Sequence, residues 1–204
     1  MAEHLYTYTN PTNPKHIEKA CKVLSSGGVL AYPTDVNWAI GCDASNSKAL
    51  KRVFAIKKAH PKERPLSFLC SNVSMISQVA TVEHVHYRVL KKAFPGPYTI
   101  FLTPQKKLAR KIGEKREKLG VRIPDSPLLL DLINTYGSPL ATSSLVFQEE
   151  CFTYGYEVES VYGHALDLIL DLGEELIPRE TTIIDLTEGE PELIREGEGK
   201  TDIL

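Results

Sequence analysis

Gly27-Gly28-Val29-Leu30-Ala31-Tyr32-Pro33-Thr34-Asp35, running on to Ala39-Ile40-Gly41-Cys42-Asp43, is the stretch on which the reading of this chain turns. The glycine pair closes a preceding helix, and Val29–Tyr32 is an apolar run short enough to be a buried strand. Pro33 lacks an amide donor and Asp35 competes for backbone hydrogen bonds, so the strand ends there. The chain therefore turns at the strand's carboxyl end, where α/β sheets hold their ligands. Thr34 and Asp35 project a hydroxyl and a carboxylate at that turn. Most strand–turn segments only connect, so the weight of this one depends on the segments around it.

Upstream, Pro14–Ser26 carries Ile17, Cys21 and Leu24 at helical spacing, with Gly27 as the cap. Downstream, Ser45-Asn46-Ser47 offers N-caps for a helix with Leu50, Val53, Phe54 and Ile56 on its apolar side. A short strand at Leu66–Cys70 follows, then two helical stretches between Val73 and Phe94. Pro95-Gly96-Pro97 breaks these before a strand at Tyr98–Thr103. Val121–Pro124 is strand-like, Leu128–Tyr136 is a helix capped by Gly137, and Leu140–Leu145 is another strand. Tyr156–Ala165 is helical, and Leu166–Leu172, Thr182–Leu186 and Leu193–Arg195 close the chain as strands. Phe147–Gly155, polar and glycine-bearing, is expected to be loose. The alternation implies one α/β domain over residues 1–204, its core spanning about 14–199, with a twisted mixed sheet flanked by helices.

With 42% hydrophobic and 25% charged residues the chain has the make-up of a soluble globular domain. No apolar run approaches the roughly 20 residues that span a bilayer. The first residues, Met1-Ala2-Glu3-His4-Leu5-Tyr6, lack the pattern of a signal peptide, and a cytoplasmic location is expected. The four cysteines are scattered without a Cys-x-x-Cys pair, which favours structural thiols over a disulfide frame or zinc site. The net charge of -2 conceals an asymmetry. Residues 1–148 hold 21 Lys and Arg against 10 Asp and Glu, whereas residues 149–204 hold 3 against 16. The basic part would attract anions such as nucleotide or RNA phosphate.

Five segments are candidates for chemistry. Lys57–Pro65 packs four fixed cations and His60 into nine residues. It suits a phosphate clamp, although spacing alone favours a solvated helix end, where cations suit the helix dipole. Thr142-Ser143-Ser144 places hydroxyls at a strand end, with no Gly-x-Ser-x-Gly elbow to make one a nucleophile. Arg122 stands in an apolar strand and needs a carboxylate ligand or an internal acid as partner; Arg195 raises the same question. The basic run Lys106–Lys118 resembles an exposed helix, without the aromatics of a base-stacking platform. Neither a Walker A sequence nor a Gly-x-Gly-x-x-Gly is present, and no spacing indicates a protein-held metal.

Taken in order, these segments resemble the YrdC/YciO family of threonylcarbamoyl-AMP synthase-like proteins. The resemblance rests on Tyr32–Asp35 with Gly41–Asp43, Lys58–Pro61 with Pro65-Leu66, and Pro95–Thr99. It continues through Val121–Pro124, Pro139–Ser144, and Thr181–Asp185 with Arg195–Gly197. It implies a single α/β domain with a basic concave surface, and a reaction joining ATP, threonine and bicarbonate into threonylcarbamoyl-AMP and pyrophosphate. That product feeds the threonylcarbamoyl modification of tRNA adenosine.

The resemblance would place Thr34 and Arg122 on the threonine. Lys58, His60, Thr99, Ser144, Thr182 and Arg195 would surround the ATP, with Lys58 and Arg122 carrying the catalysis and Mg2+ arriving with the nucleotide. Three departures point to the YciO branch. His60 stands where synthases typically have Arg, Val146 where they have Asn, and Leu69 where they have His. The alternative these departures raise is a non-catalytic protein of the same fold that binds nucleotide or double-stranded RNA.

Overall fold

The computed structural model describes residues 1–9, 11–58, 66–105 and 117–204. His60, the rest of the cationic loop from residue 59 to 65, and residues 106–116 of the basic run lie outside them. The opening stretch folds as a hairpin of β2 (Leu30–Pro33) and β3 (Trp38–Asp43), antiparallel with Tyr32 opposite Ala39 and Pro33 opposite Trp38. Pro33 occupies the last position of its strand, where a missing amide does least harm. The hairpin belongs to a ten-stranded mixed sheet of order β1-β10-β2-β3-β7-β4-β6-β5-β11-β12. Its other strands are β1 (Glu3–Tyr6), β4 (Ser67–Leu69), β5 (Tyr98–Leu102), β6 (Leu119–Arg122), β7 (Leu140–Ser144), β10 (Leu168–Asp171), β11 (Thr182–Asp185) and β12 (Glu192–Arg195).

The helices begin where their caps dictate. Asn13 accepts the Lys15 amide at the start of α1 (Pro14–Ser25), and Asn46 accepts the amides of Lys48 and Ala49 at the start of α2 (Ser47–Lys58). Asn72 caps α3 (Val73–Val79), which precedes α4 (His84–Ala93). Ser126 caps α5 (Pro127–Tyr136), which ends on Gly137 at φ 76°, a left-handed conformation suited to glycine. Helix α6 (Gly155–Tyr162) packs on β10 and β2, α2 packs on β3 and β7, and α1 packs on α5. Trp38, Tyr32, Phe68, Leu24, Ile40 and Ile100 are among the largest fully buried side chains. Among the described residues no helix is long and apolar enough to cross a membrane.

Two strands and one hairpin depart from the sequence reading. β1 forms the sheet edge parallel to β10, outside the expected core. β3 is a full strand where the sequence reading ran from the turn to the α2 cap. The stretch expected to be loose instead opens with a hairpin of β8 (Val146–Phe147) and β9 (Glu150–Cys151). Gln148 and Glu149 form its two-residue loop at φ 50° and 71°, so ordinary side chains occupy a turn normally marked by Asn or Gly.

Candidate functional site

Side chains alternate across a strand, so cross-strand register decides which residues share a face. Ala39 opposes Ser144, Thr142 opposes Ser67, Ser67 opposes Gly120, and Gly120 opposes Phe101. Thr99 opposes Ile183, and Ile183 opposes Arg195. Gly120 apart, these residues, with Arg122 two positions beyond it, floor a cleft of about 330 Å³ that Val36, Asn37, Glu180 and Thr181 also line. That volume suits a small ligand. The floor is made largely of small and hydroxyl-bearing residues, with Phe101, Ile183 and two arginines among them.

Arg122 is 6% exposed. Its Nη2 donates to Asp35 Oδ1 at 2.7 Å, and Asp35 Oδ2 accepts the Asp125 amide at 3.3 Å. Burial lowers the Arg122 pKa, the Asp35 carboxylate opposes that lowering, and the like charge of Arg195 adds to it. The guanidinium remains charged, because an arginine starts far above neutrality. Arg122 Nε is buried without a partner. An orphaned donor on a cation that lines a cleft is a place for an anionic acceptor.

Arg195 reaches the cleft from β12. Its Nε and Nη2 donate to the Thr181 carbonyl at 3.1 and 2.8 Å, and Nη1 lies 3.2 Å from Glu180 Oε1. Thr181 Oγ1 accepts from Arg195 Nη2 at 3.1 Å and shares a 2.9 Å hydrogen bond with Thr99 Oγ1. The two arginines therefore face one cleft, Arg122 held by the buried Asp35 and Arg195 by the Thr181 carbonyl beside the exposed Glu180.

A match over residues 22–197 to the model of the Sua5/YciO/YrdC family, described as "Telomere recombination", coincides with this architecture. The chain belongs to that family. A Haemophilus influenzae protein described as uncharacterized is 37% identical over 202 residues, covering 96% of this chain and 97% of its own. A threonylcarbamoyl-AMP synthase of Vibrio vulnificus is 29% identical over 172 residues, covering 81% of this chain and 91% of its own. The crystal structure of E. coli YciO matches with a TM-score of 0.90 at 30% identity, covering 100% of this chain and 99% of that one. P. abyssi Sua5 complexed with L-threonine matches with a TM-score of 0.83 at 26% identity, covering 97% of this chain and 57% of that longer one.

Against the residues that the YrdC/YciO resemblance singled out, the cleft makes a clear division. Arg122, Thr99, Ser144 and Arg195 line it. Lys58 is the last residue of α2, next to the loop that lies outside the described residues. Thr34 is buried, and its hydroxyl donates to the Asn37 carbonyl at 2.7 Å while accepting the amides of Val36 and Asn37 at 3.1 Å. That hydroxyl builds the turn. Thr182 is fully buried, donating to the Gly199 carbonyl at 2.6 Å and accepting the Gly197 amide at 3.0 Å; the hydroxyl on the cleft side is that of Thr181. Of the departures from synthases, Leu69 is fully buried, and Val146 is buried in β8 with its carbonyl accepting the Tyr162 hydroxyl at 3.0 Å.

Asn37, Glu180 and Thr181 complete the walls, and Asp35 anchors Arg122. The sequence signalled Asp35 by its place after the strand and Thr181 only as half of a threonine pair; nothing in it signalled Asn37 or Glu180. Cys42 and Cys70 take no part, since burial pushes both thiols up to about 12 and keeps them protonated.

Proposed function

We propose that this protein is a threonylcarbamoyl-AMP synthase-like nucleotidyltransferase acting on ATP, threonine and bicarbonate. The observation that carries the proposal is the Asp35-anchored Arg122, buried, charged and with an unpartnered Nε at a cleft wall. In this reading Arg122 grips the carboxylate of the amino acid. The amine captures carbon dioxide derived from bicarbonate, and the resulting carbamate oxygen attacks the α-phosphorus of ATP, with pyrophosphate leaving. Such a transfer needs positioning and charge neutralisation rather than a protein nucleophile. Arg195 and Lys58 offset phosphate charge, Thr99, Thr181 and Ser144 offer hydroxyls, and Mg2+ comes with the nucleotide. The synthase name of the Vibrio vulnificus relative and the threonine held by P. abyssi Sua5 support the same chemistry.

The expected result is pyrophosphate release that requires both threonine and bicarbonate and is abolished by Arg122→Ala, with ATP binding retained. Equal loss of ATP binding in that variant would contradict the role given to Arg122. A second reading, a non-catalytic relative that binds nucleotide or double-stranded RNA, is favoured by Val146, an apolar buried side chain where synthases carry an amide. It predicts RNA affinity that falls steeply with salt and no pyrophosphate under any combination of substrates.

A further inference from the structure

We propose that Asn37 is the residue that reads the side-chain hydroxyl of the substrate, making this cleft selective for a 2-amino-3-hydroxy acid. The inference rests on the reading of Arg122 as the carboxylate grip. Asn37 is 5% exposed and lines the cleft. Its Nδ2 donates to the Arg179 carbonyl over a long 3.5 Å, a contact that assigns the amide nitrogen to that side. Oδ1 is then a buried acceptor with no partner.

Asn37 and Asp35 belong to one four-residue turn that the Thr34 hydroxyl holds with three hydrogen bonds. The guanidinium anchored by Asp35 and the Asn37 amide are thus set on one wall. Thr34, the residue nearest in sequence with a hydroxyl, is already engaged. Charge decides which ligand donor belongs on Asn37. A substrate ammonium is matched by a carboxylate, and Glu180, itself paired with Arg195, lines the same cleft. The neutral amide oxygen matches a neutral donor, a hydroxyl. An apolar isostere would leave this acceptor buried and unpaired, the situation in which hydroxyl-reading sites discriminate most strongly.

The test is equilibrium binding of L-threonine, L-valine and O-methyl-L-threonine to the full chain, to Asn37→Leu and to Asn37→Ala, with thermal unfolding of each variant as the folding control. The wild type is expected to prefer threonine over both analogues by about ten- to a hundredfold. Both variants are expected to bring that ratio close to one while valine binding persists. The alanine variant introduces no bulk and serves if the leucine variant misfolds. A wild type that binds threonine and valine alike, or a threonine preference that survives in the variants, overturns the role of Asn37 and leaves the amino-acid reading standing. An unchanged preference with weakened ATP binding overturns it as well, by placing Asn37 on the nucleotide. If no amino acid binds the wild type, the proposed function falls first and this inference with it.

Discussion

Removing the Asp35 carboxylate is the perturbation whose cost follows most directly from the geometry. The pair it forms with Arg122 is nearly dry, with side chains 8% and 7% exposed and 2.7 Å apart. Asp35→Ala leaves a buried guanidinium with no counter-charge, and it does so beside the like charge of Arg195. Breaking a buried pair from one side costs about 3–5 kcal/mol. Loss of the Asp125 amide bond contributes about 1 kcal/mol within that range. At about 2–4 °C per kcal/mol for a chain of this size, the midpoint should fall by about 6–20 °C.

The coupling is the sharper quantity. Asp35→Ala combined with Arg122→Met removes both charges, so the double variant should be more stable than the sum of the singles implies by at least about 2 kcal/mol. Urea unfolding followed by the fluorescence of Trp38, the single tryptophan of the chain, reports directly on the strand beside the site. A cost for Asp35→Ala below about 1 kcal/mol, or strict additivity in the double variant, would refute the claim that Asp35 holds Arg122 in place.

Three further outcomes are expected. His4 sits between Glu159 and Asp171, with Nδ1 and Nε2 each 2.8 Å from a carboxylate oxygen; burial opposes its charge, but the two acids outweigh burial and hold its pKa above 6.5. A raised pKa stabilises the fold fully below the unfolded value and loses that contribution as pH rises through the folded value. His4→Gln should therefore flatten the fall in stability above about pH 6.5, and an unchanged pH slope in denaturant titrations would contradict this. Gly41→Ala places a Cβ 2.0 Å from the Tyr32 hydroxyl, which itself donates to Thr142 Oγ1 at 3.1 Å. It should cost about 1–3 kcal/mol in urea unfolding, and a neutral result would mean that Tyr32 packs elsewhere. Thr182→Val should destabilise by about 1–3 kcal/mol while leaving ATP affinity within about twofold. Weakened ATP binding without a stability change would restore Thr182 to the nucleotide site.

The sequence disclosed most where one residue type has one physical use. Asn46 and Gly137 marked helix ends because a short acceptor and a left-handed glycine serve there, and Pro33 marked the turn. Arg122 declared itself as a charge in an apolar strand, and it has both a partner in Asp35 and an opening in the cleft. Register was invisible. Nothing local distinguishes Thr181 from Thr182, yet one faces the cleft and the other is buried, because the pairing of β11 with β5 sets the parity. Strand β3 is interrupted in sequence by Gly41, a weak strand former whose missing Cβ makes room for Tyr32 in the fold. The β8–β9 hairpin escaped because Gln148 and Glu149 give no sign of positive φ. Thr34 was legible as a hydroxyl at the turn, but that its three hydrogen bonds turn inward is a property of the folded loop.

The central claim is that the two-arginine cleft joins an amino acid and bicarbonate to adenylate. The most direct measurement is incorporation of the carbon of labelled bicarbonate into an acid-labile product by the purified full chain, with ATP and threonine omitted in turn. Label incorporation that needs both ATP and threonine, and disappears in Arg122→Ala, is the predicted result. Tight ATP binding with no label incorporated in any combination would contradict it.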